Sequence, residues 1–185
     1  MRSEEGATGA RRRPRVVISR CLGFGRCRWN GIVLDWRPPE ELAAAVDFIP
    51  VCPECGIGLR VPRSPILLVA DGAEQVRLVE PAGGRDLSRE MIAFSQRFLA
   101  DNKVIDGLLL KAKSPSCGLV DTPVFPFPEA VEPLPGVTGP GLFARVLLAA
   151  RPGLPAIDER RLAKPAAARR WRQAVGVAAC GSWAR

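Results

Sequence analysis

Six cysteines and no histidine set the chemistry open to this 185-residue chain. Without an imidazole there is no Ser-His-Asp or Cys-His pair and no zinc site with histidine ligands, so thiol and metal–thiolate chemistry remain. Cys52-Pro53-Glu54-Cys55 has the spacing of a redox dithiol, which belongs between a strand and the first turn of a long helix. Here Gly56, Gly58, Pro62 and Pro65 follow, and a long helix does not tolerate those prolines. A four-thiolate zinc site could draw on Cys21, Cys27, Cys52 and Cys55, although structural zinc motifs pair their cysteines more closely than Cys21 and Cys27 are paired. An iron–sulfur cluster accepts ligands far apart in sequence, and Cys21, Cys52 and Cys117 would serve it. Cys180 and Cys27 also read as small buried hydrophobes. Spacing alone leaves these alternatives open.

The elements that must position the thiols are strands alternating with helices. Residues 15–19 are β-branched and apolar and read as a short buried strand ending at Cys21-Leu22-Gly23. Pro38 and Pro39 open a helix running to Val46, with Glu40 and Glu41 at the positive end of its dipole. A second apolar run, 48–51, leads into Cys52, and 66–79 reads as a hairpin or a strand and loop around Asp71-Gly72. Ser88 is a good N-cap for a helix ending near Asn102, with Met91, Phe94 or Ser95, and Phe98 on one face. Residues 107–111 form a third buried strand, 142–150 a last helix stopped by Pro152-Gly153, and 156–157 a final short strand. This alternation predicts a single α/β domain with a mostly parallel sheet flanked by helices. Cys21, Cys52 and Cys117 then fall at the carboxyl edge of the strands, where open α/β sheets bind ligands.

Composition supports one ordinary domain, since 47% of the residues are hydrophobic and the length suits a single core. The net charge of +8 comes mostly from the ends, +2 from residues 1–14 and +5 from 163–185, so the body is close to neutral. Residues 1–14 therefore read as a disordered basic extension, 15–162 as the domain and 163–185 as a basic tail. Solvated ends are the simpler reading. RNA contact by the tails is a minor alternative, because only Trp171 and Trp183 are available there to stack on bases. No apolar run approaches the roughly 18 residues of a membrane span, and the first residues lack the apolar stretch of a signal peptide. The expectation is a cytoplasmic protein, where structural disulfides are disfavoured.

Several blocks together resemble a known family. Ile18-Ser19-Arg20-Cys21-Leu22-Gly23, Cys27-Arg28-Trp29-Asn30-Gly31, Pro50-Val51-Cys52-Pro53-Glu54 with Gly58-Leu59 and Pro62-Arg63-Ser64-Pro65, and Leu110-Lys111 with Ser114-Pro115-Ser116-Cys117-Gly118 occur in the order found in the thiouracil desulfurase family, iron–sulfur proteins formerly grouped as a domain of unknown function. The last block is the most specific, and the similarity spans about residues 15–162. The resemblance implies an α/β domain holding a [4Fe-4S] cluster on Cys21, Cys52 and Cys117 with one open iron site. It implies a desulfurase that takes sulfur from a small-molecule thiolated pyrimidine such as 2-thiouracil, giving the oxo base and hydrosulfide without net redox. A thiophilic, Lewis-acidic iron suits a thiocarbonyl.

The family also implies a catalytic serine, which maps to Ser114, and a catalytic acid, for which Asp47 and Glu54 are the candidates. Arg28, Arg63 and Lys111 could orient the substrate, or instead make contacts that stabilise the fold. The chain departs from the family pattern at Trp29-Asn30-Gly31, usually Tyr-Asp-Gly, and at Cys55, usually aliphatic. Two other functions remain. One is a non-catalytic iron–sulfur or metal sensor built on the same cysteines, and the other is a thiol–disulfide oxidoreductase using Cys52 and Cys55.

Overall fold

The structure is a computed structural model that describes residues 12–70, 76–127 and 132–177. Asp71-Gly72, most of the N-terminal extension and Cys180 lie outside the described residues. In chain order the elements are β1 (Arg15–Ser19), α1 (Glu40–Ala45), β2 (Asp47–Val51), α2 (Pro53–Gly56), β3 (Leu67–Ala70), β4 (Val76–Glu80), β5 (Arg85–Asp86), α3 (Ser88–Asp101), β6 (Gly107–Leu110), β7 (Thr122–Pro126), β8 (Thr138–Gly139), α4 (Leu142–Ala150), β9 (Ala156–Asp158), α5 (Glu159–Leu162) and α6 (Pro165–Val175).

The central sheet has the order β2-β1-β6-β9, and every pairing in it is parallel. Pro50 has no N–H to donate, and it is tolerated because β2 is an edge strand. The chain is thus an α/β domain with a mostly parallel sheet flanked by helices. Because side chains alternate along a strand, β1 and β6 feed two different cores. Val17, Leu108 and Leu110 pack with Met91 of α3 and with Phe143 and Leu147 of α4. Val16, Ile18 and Leu109 pack with Leu42, Leu162, Trp171 and Val175 on the other face. Both faces being covered explains why β1 reads as an unbroken apolar run.

A second sheet, β5-β4-β3-β7-β8, is antiparallel apart from the parallel β3–β7 pair. The sequence suggested β3 and β4 but not β7, because Pro123 and Pro126 argue against a strand there. Ser88 is not the N-cap of α3 but its first residue: its Oγ accepts the Leu78 N–H at 2.9 Å, and Asp86 Oδ1 accepts the Ser88 N–H at 2.8 Å.

The C-terminal stretch differs from the expected basic tail. Residues 165–175 form α6, whose Ala168, Trp171 and Val175 are buried in the second core. Part of the N-terminal extension is also docked. Arg12 holds both carboxylate oxygens of Asp106, at 2.7 and 2.9 Å, and Arg13 donates to the carbonyls of Ala43 and Val46. The Arg12 hydrogen bonds hold Asp106 below the usual carboxylate range.

Candidate active site

The three strands β2, β1 and β6 run side by side in one direction, so their carboxyl ends share an edge. A cavity of about 430 Å³ opens there, and Cys21, Cys27, Cys52 and Cys117 all line it. That volume lies within the range of small-molecule sites.

Each cysteine is held by local structure. Cys21 follows β1 in a tight turn closed by the Leu22 N–H to Ser19 carbonyl bond, with Gly23 at φ +89°. Few side chains tolerate that backbone conformation. Cys52 follows β2 and occupies the N-cap position of the one-turn helix α2, whose first residue is Pro53. Cys117 lies in the 114–118 loop beyond β6. There Ser114 Oγ accepts the N–H groups of Ser116 at 3.3 Å and Cys117 at 3.0 Å, while the Ser114 carbonyl accepts the Gly118 N–H and the Thr122 hydroxyl.

The start of α4 clamps this loop. The N–H groups of Gly141, Leu142 and Ala144 donate to the carbonyls of Gly118, Pro115 and Ser116 at 2.8, 2.9 and 3.1 Å. N–H groups that a helix start normally leaves free are used here to fix the loop. The approach is close enough that a Cβ on Gly141 would sit 2.4 Å from the Ser116 carbonyl carbon and 2.7 Å from the Cys117 nitrogen.

The thiols crowd one another. Cys27 interacts with Cys21 and Cys52, and its pKa is pushed up to about 12, first by Cys21 and then by burial, with Cys52 acting in the opposite sense. Cys52 is raised by its contact with Cys27 and by burial. Burial raises Cys117 against the pull of the Ser19 and Ser114 hydroxyls. Crowding and burial thus favour the protonated thiols, and only a cationic group sharing the space would stabilise several of them as thiolates. Among the described residues no three Cys, Asp or Glu side chains converge as a single metal ion requires. The donor set is all sulfur and spread around one cavity, which fits a multi-iron cluster. Cys55 is half-buried and does not line the cavity.

Glu54, on α2, also lines the cavity. Its Oε2 accepts from Arg63 Nε at 2.9 Å and from an Arg63 terminal nitrogen, and its Oε1 accepts from the Ser116 hydroxyl at 3.1 Å. The Arg63 side chain is only 5% exposed. It also donates to the Cys27 carbonyl at 2.8 Å and the Arg60 carbonyl at 2.9 Å. Burial works against its charge, but the Coulombic and hydrogen-bonding pull of Glu54 outweighs it and raises the pKa. Arg63 is therefore an internal strut for Glu54 and the Cys27 backbone, rather than a free substrate-binding group.

Lys111 is engaged in the same way. Its Nζ pairs with Glu159 Oε1 at 2.6 Å and donates to the Ala112 carbonyl, although the side chain lines the cavity. Arg28 lines the cavity, as do Ser114 and the exposed Trp29. Asp47 does not. It starts β2 while Cys52 follows its end, so the strand's length of about 3.3 Å per residue separates the two. Its carboxylate is exposed and pairs with Arg13 at 3.3 Å. The residue types alone did not reveal Ser116 as the Glu54 partner, or Ser19, 2% exposed, whose Oγ accepts the Lys111 N–H. Both lie inside the motif blocks, which was the available signal.

Fold and site together define an α/β protein with a thiol-lined cavity at the carboxyl edge of a parallel sheet. The chain belongs to the 2-thiouracil desulfurase family, whose model matches residues 16–159. It is 29% identical over 109 residues to the uncharacterized protein YbbK of Bacillus subtilis (strain 168), an alignment covering 56% of this chain and 72% of that protein. The solved structure of the [4Fe-4S]-dependent thiouracil desulfidase TudS has the same fold, with a TM-score of 0.57 at 24% identity over 85% of this chain and 99% of that one.

Proposed function

We propose that this chain is a [4Fe-4S]-dependent desulfurase that converts a thiolated pyrimidine, such as 2-thiouracil, and water into the oxo base and hydrosulfide. Cys21, Cys52 and Cys117 would hold the cluster. The observation that carries this reading is the gathering of these cysteines with Glu54 and Ser114 around one cavity, in a chain of this family. When bound, the cluster supplies a thiophilic Lewis acid that polarises the carbon–sulfur bond through an iron lacking a cysteine ligand.

The chain's own residues supply the rest. Glu54 Oε2 is held by two bonds from Arg63 and Oε1 by one from the Ser116 hydroxyl, so Oε1 is the oxygen with acceptor capacity left for a proton from the attacking water. Ser114 Oγ accepts two backbone N–H groups, which polarises its hydroxyl, and that hydroxyl would turn from Cys117 to donate to the substrate or the departing sulfur once the cysteine is engaged by the cluster. Arg28 and Trp29 flank the cavity and would orient the planar base. The sum is one water consumed, one carbon–oxygen double bond formed, one carbon–sulfur double bond broken, and no electrons transferred. Five free thiols among the described residues suit a reducing, cytoplasmic setting.

Reconstituted without oxygen and given 2-thiouracil in ¹⁸O-labelled water, the chain should release uracil and sulfide in equal amounts, with the label in the uracil. A preparation that holds iron and sulfide yet releases nothing from thiolated pyrimidines is a sensor, and the desulfurase reading then fails.

A further inference from the structure

One wall of the cavity is apolar and has no part in the reading above. Leu67 of β3 and Pro123 and Phe125 of β7 line the same cavity as Cys52, Cys117, Glu54 and Ser114. They come from the second sheet, whereas the thiols stand at the edge of the first. Val124 is buried in the first core and pairs with Leu68, so the alternation of side chains turns Leu67, Pro123 and Phe125 the other way. Leu67 and Phe125 are half-buried and belong to neither core. Among the described residues Phe125 stacks on no other aromatic ring. Trp29, also in the cavity lining, is by contrast exposed on a loop.

This wall is tied to the site. β7 begins at Thr122, whose hydroxyl donates to the Ser114 carbonyl at 3.0 Å, so the strand is held in register with the loop of Ser114 and Cys117. Phe125 follows on the same strand, roughly 10 Å from Thr122 at the rise of extended chain. An aromatic face left without a partner in a cavity gains when a flat apolar surface displaces the water on it.

We propose that Phe125, backed by Leu67 and Pro123, is the platform on which the substrate ring lies, and that it sets the preference of this chain for aromatic thiocarbonyl compounds. This rests on the desulfurase reading of the preceding subsection and names the residue that selects a ring there. Stacking holds a heterocycle by its π face without reading its edges, and an open-chain thioamide has no ring to offer. The contact is the same in the ground state and the transition state, so it lowers KM and leaves kcat alone.

The test compares the full-length, anaerobically reconstituted chain with Phe125→Tyr, which keeps the ring, and Phe125→Leu, which stays apolar without one. Iron per chain, melting temperature, and kcat and KM for 2-thiouracil are measured on each. Phe125→Leu should raise KM about tenfold at unchanged kcat and iron content, while Phe125→Tyr stays within about twofold of the parent. Equal KM values in all three proteins, a Phe125→Tyr as impaired as Phe125→Leu, or a Phe125→Leu that loses kcat or iron would each overturn the inference and leave the desulfurase reading standing. If the cluster-loaded parent releases no sulfide from 2-thiouracil, that reading falls and takes this inference with it.

Discussion

Glu54 and Asp47 show how position decides chemistry that residue type leaves open. Both are acids near Cys52 in sequence, and only strand direction separates them. Cys52 follows the carboxyl end of β2, and α2 returns Glu54 to the cavity, whereas Asp47 begins the strand at its other end. Glu54→Gln can keep its oxygen toward Arg63, with its NH2 donating to the Ser116 hydroxyl in place of the bond it accepted, but it loses the proton acceptor, cutting turnover by a factor of about 10² or more at unchanged iron content. It should also cost about 3 kcal/mol, because buried Arg63 loses its counter-charge. Asp47→Asn should leave turnover unchanged, because its pair with Arg13 is exposed. Steady-state kinetics and thermal melts of the two variants check both statements. The cysteines and Ser114 were legible because their motif blocks carry them. The role of Arg63 was not, since a guanidinium in a sequence gives no sign of whether it faces a ligand or a buried carboxylate.

Among the elements, β1, β2 and β6 were readable because a strand covered on both faces must be apolar almost throughout. The second sheet was less readable, as its strand β7 contains Pro123 and Pro126 and its strands β5 and β8 are two residues long. Helix α4 was legible in extent, but its service to the site was not, because the bonds it makes to the 114–118 loop are backbone bonds. Gly141 is the residue on which that contact depends. Gly141→Ala would drive a methyl group into the Ser116–Cys117 backbone, so it should destabilise the fold by about 1–3 kcal/mol. Iron content after reconstitution should fall as well, since Cys117 moves with the loop. Denaturant melts and iron assays of this variant measure the two effects. An unshifted melt with full iron would show that the loop holds itself.

At the scale of the whole molecule, the central sheet is a partition between two cores, and α6 closes the second. Counting charge alone assigned residues 163–185 to a tail, yet Ala168, Trp171 and Val175 follow helical spacing and are buried. Trp171→Ala should cost about 3–5 kcal/mol in a thermal or denaturant melt, where a surface tail residue would cost almost nothing. The cavity lies at the carboxyl edge of that sheet, so its thiols depend on both cores holding β1, β2 and β6 in register. The most direct measurement is therefore iron and acid-labile sulfide per chain after anaerobic reconstitution, beside a variant with Cys21, Cys52 and Cys117 all changed to Ser. The parent should hold about four of each, with broad visible absorption, and the variant almost none. A colourless, iron-free parent, or a triple variant that keeps its iron, would contradict the account.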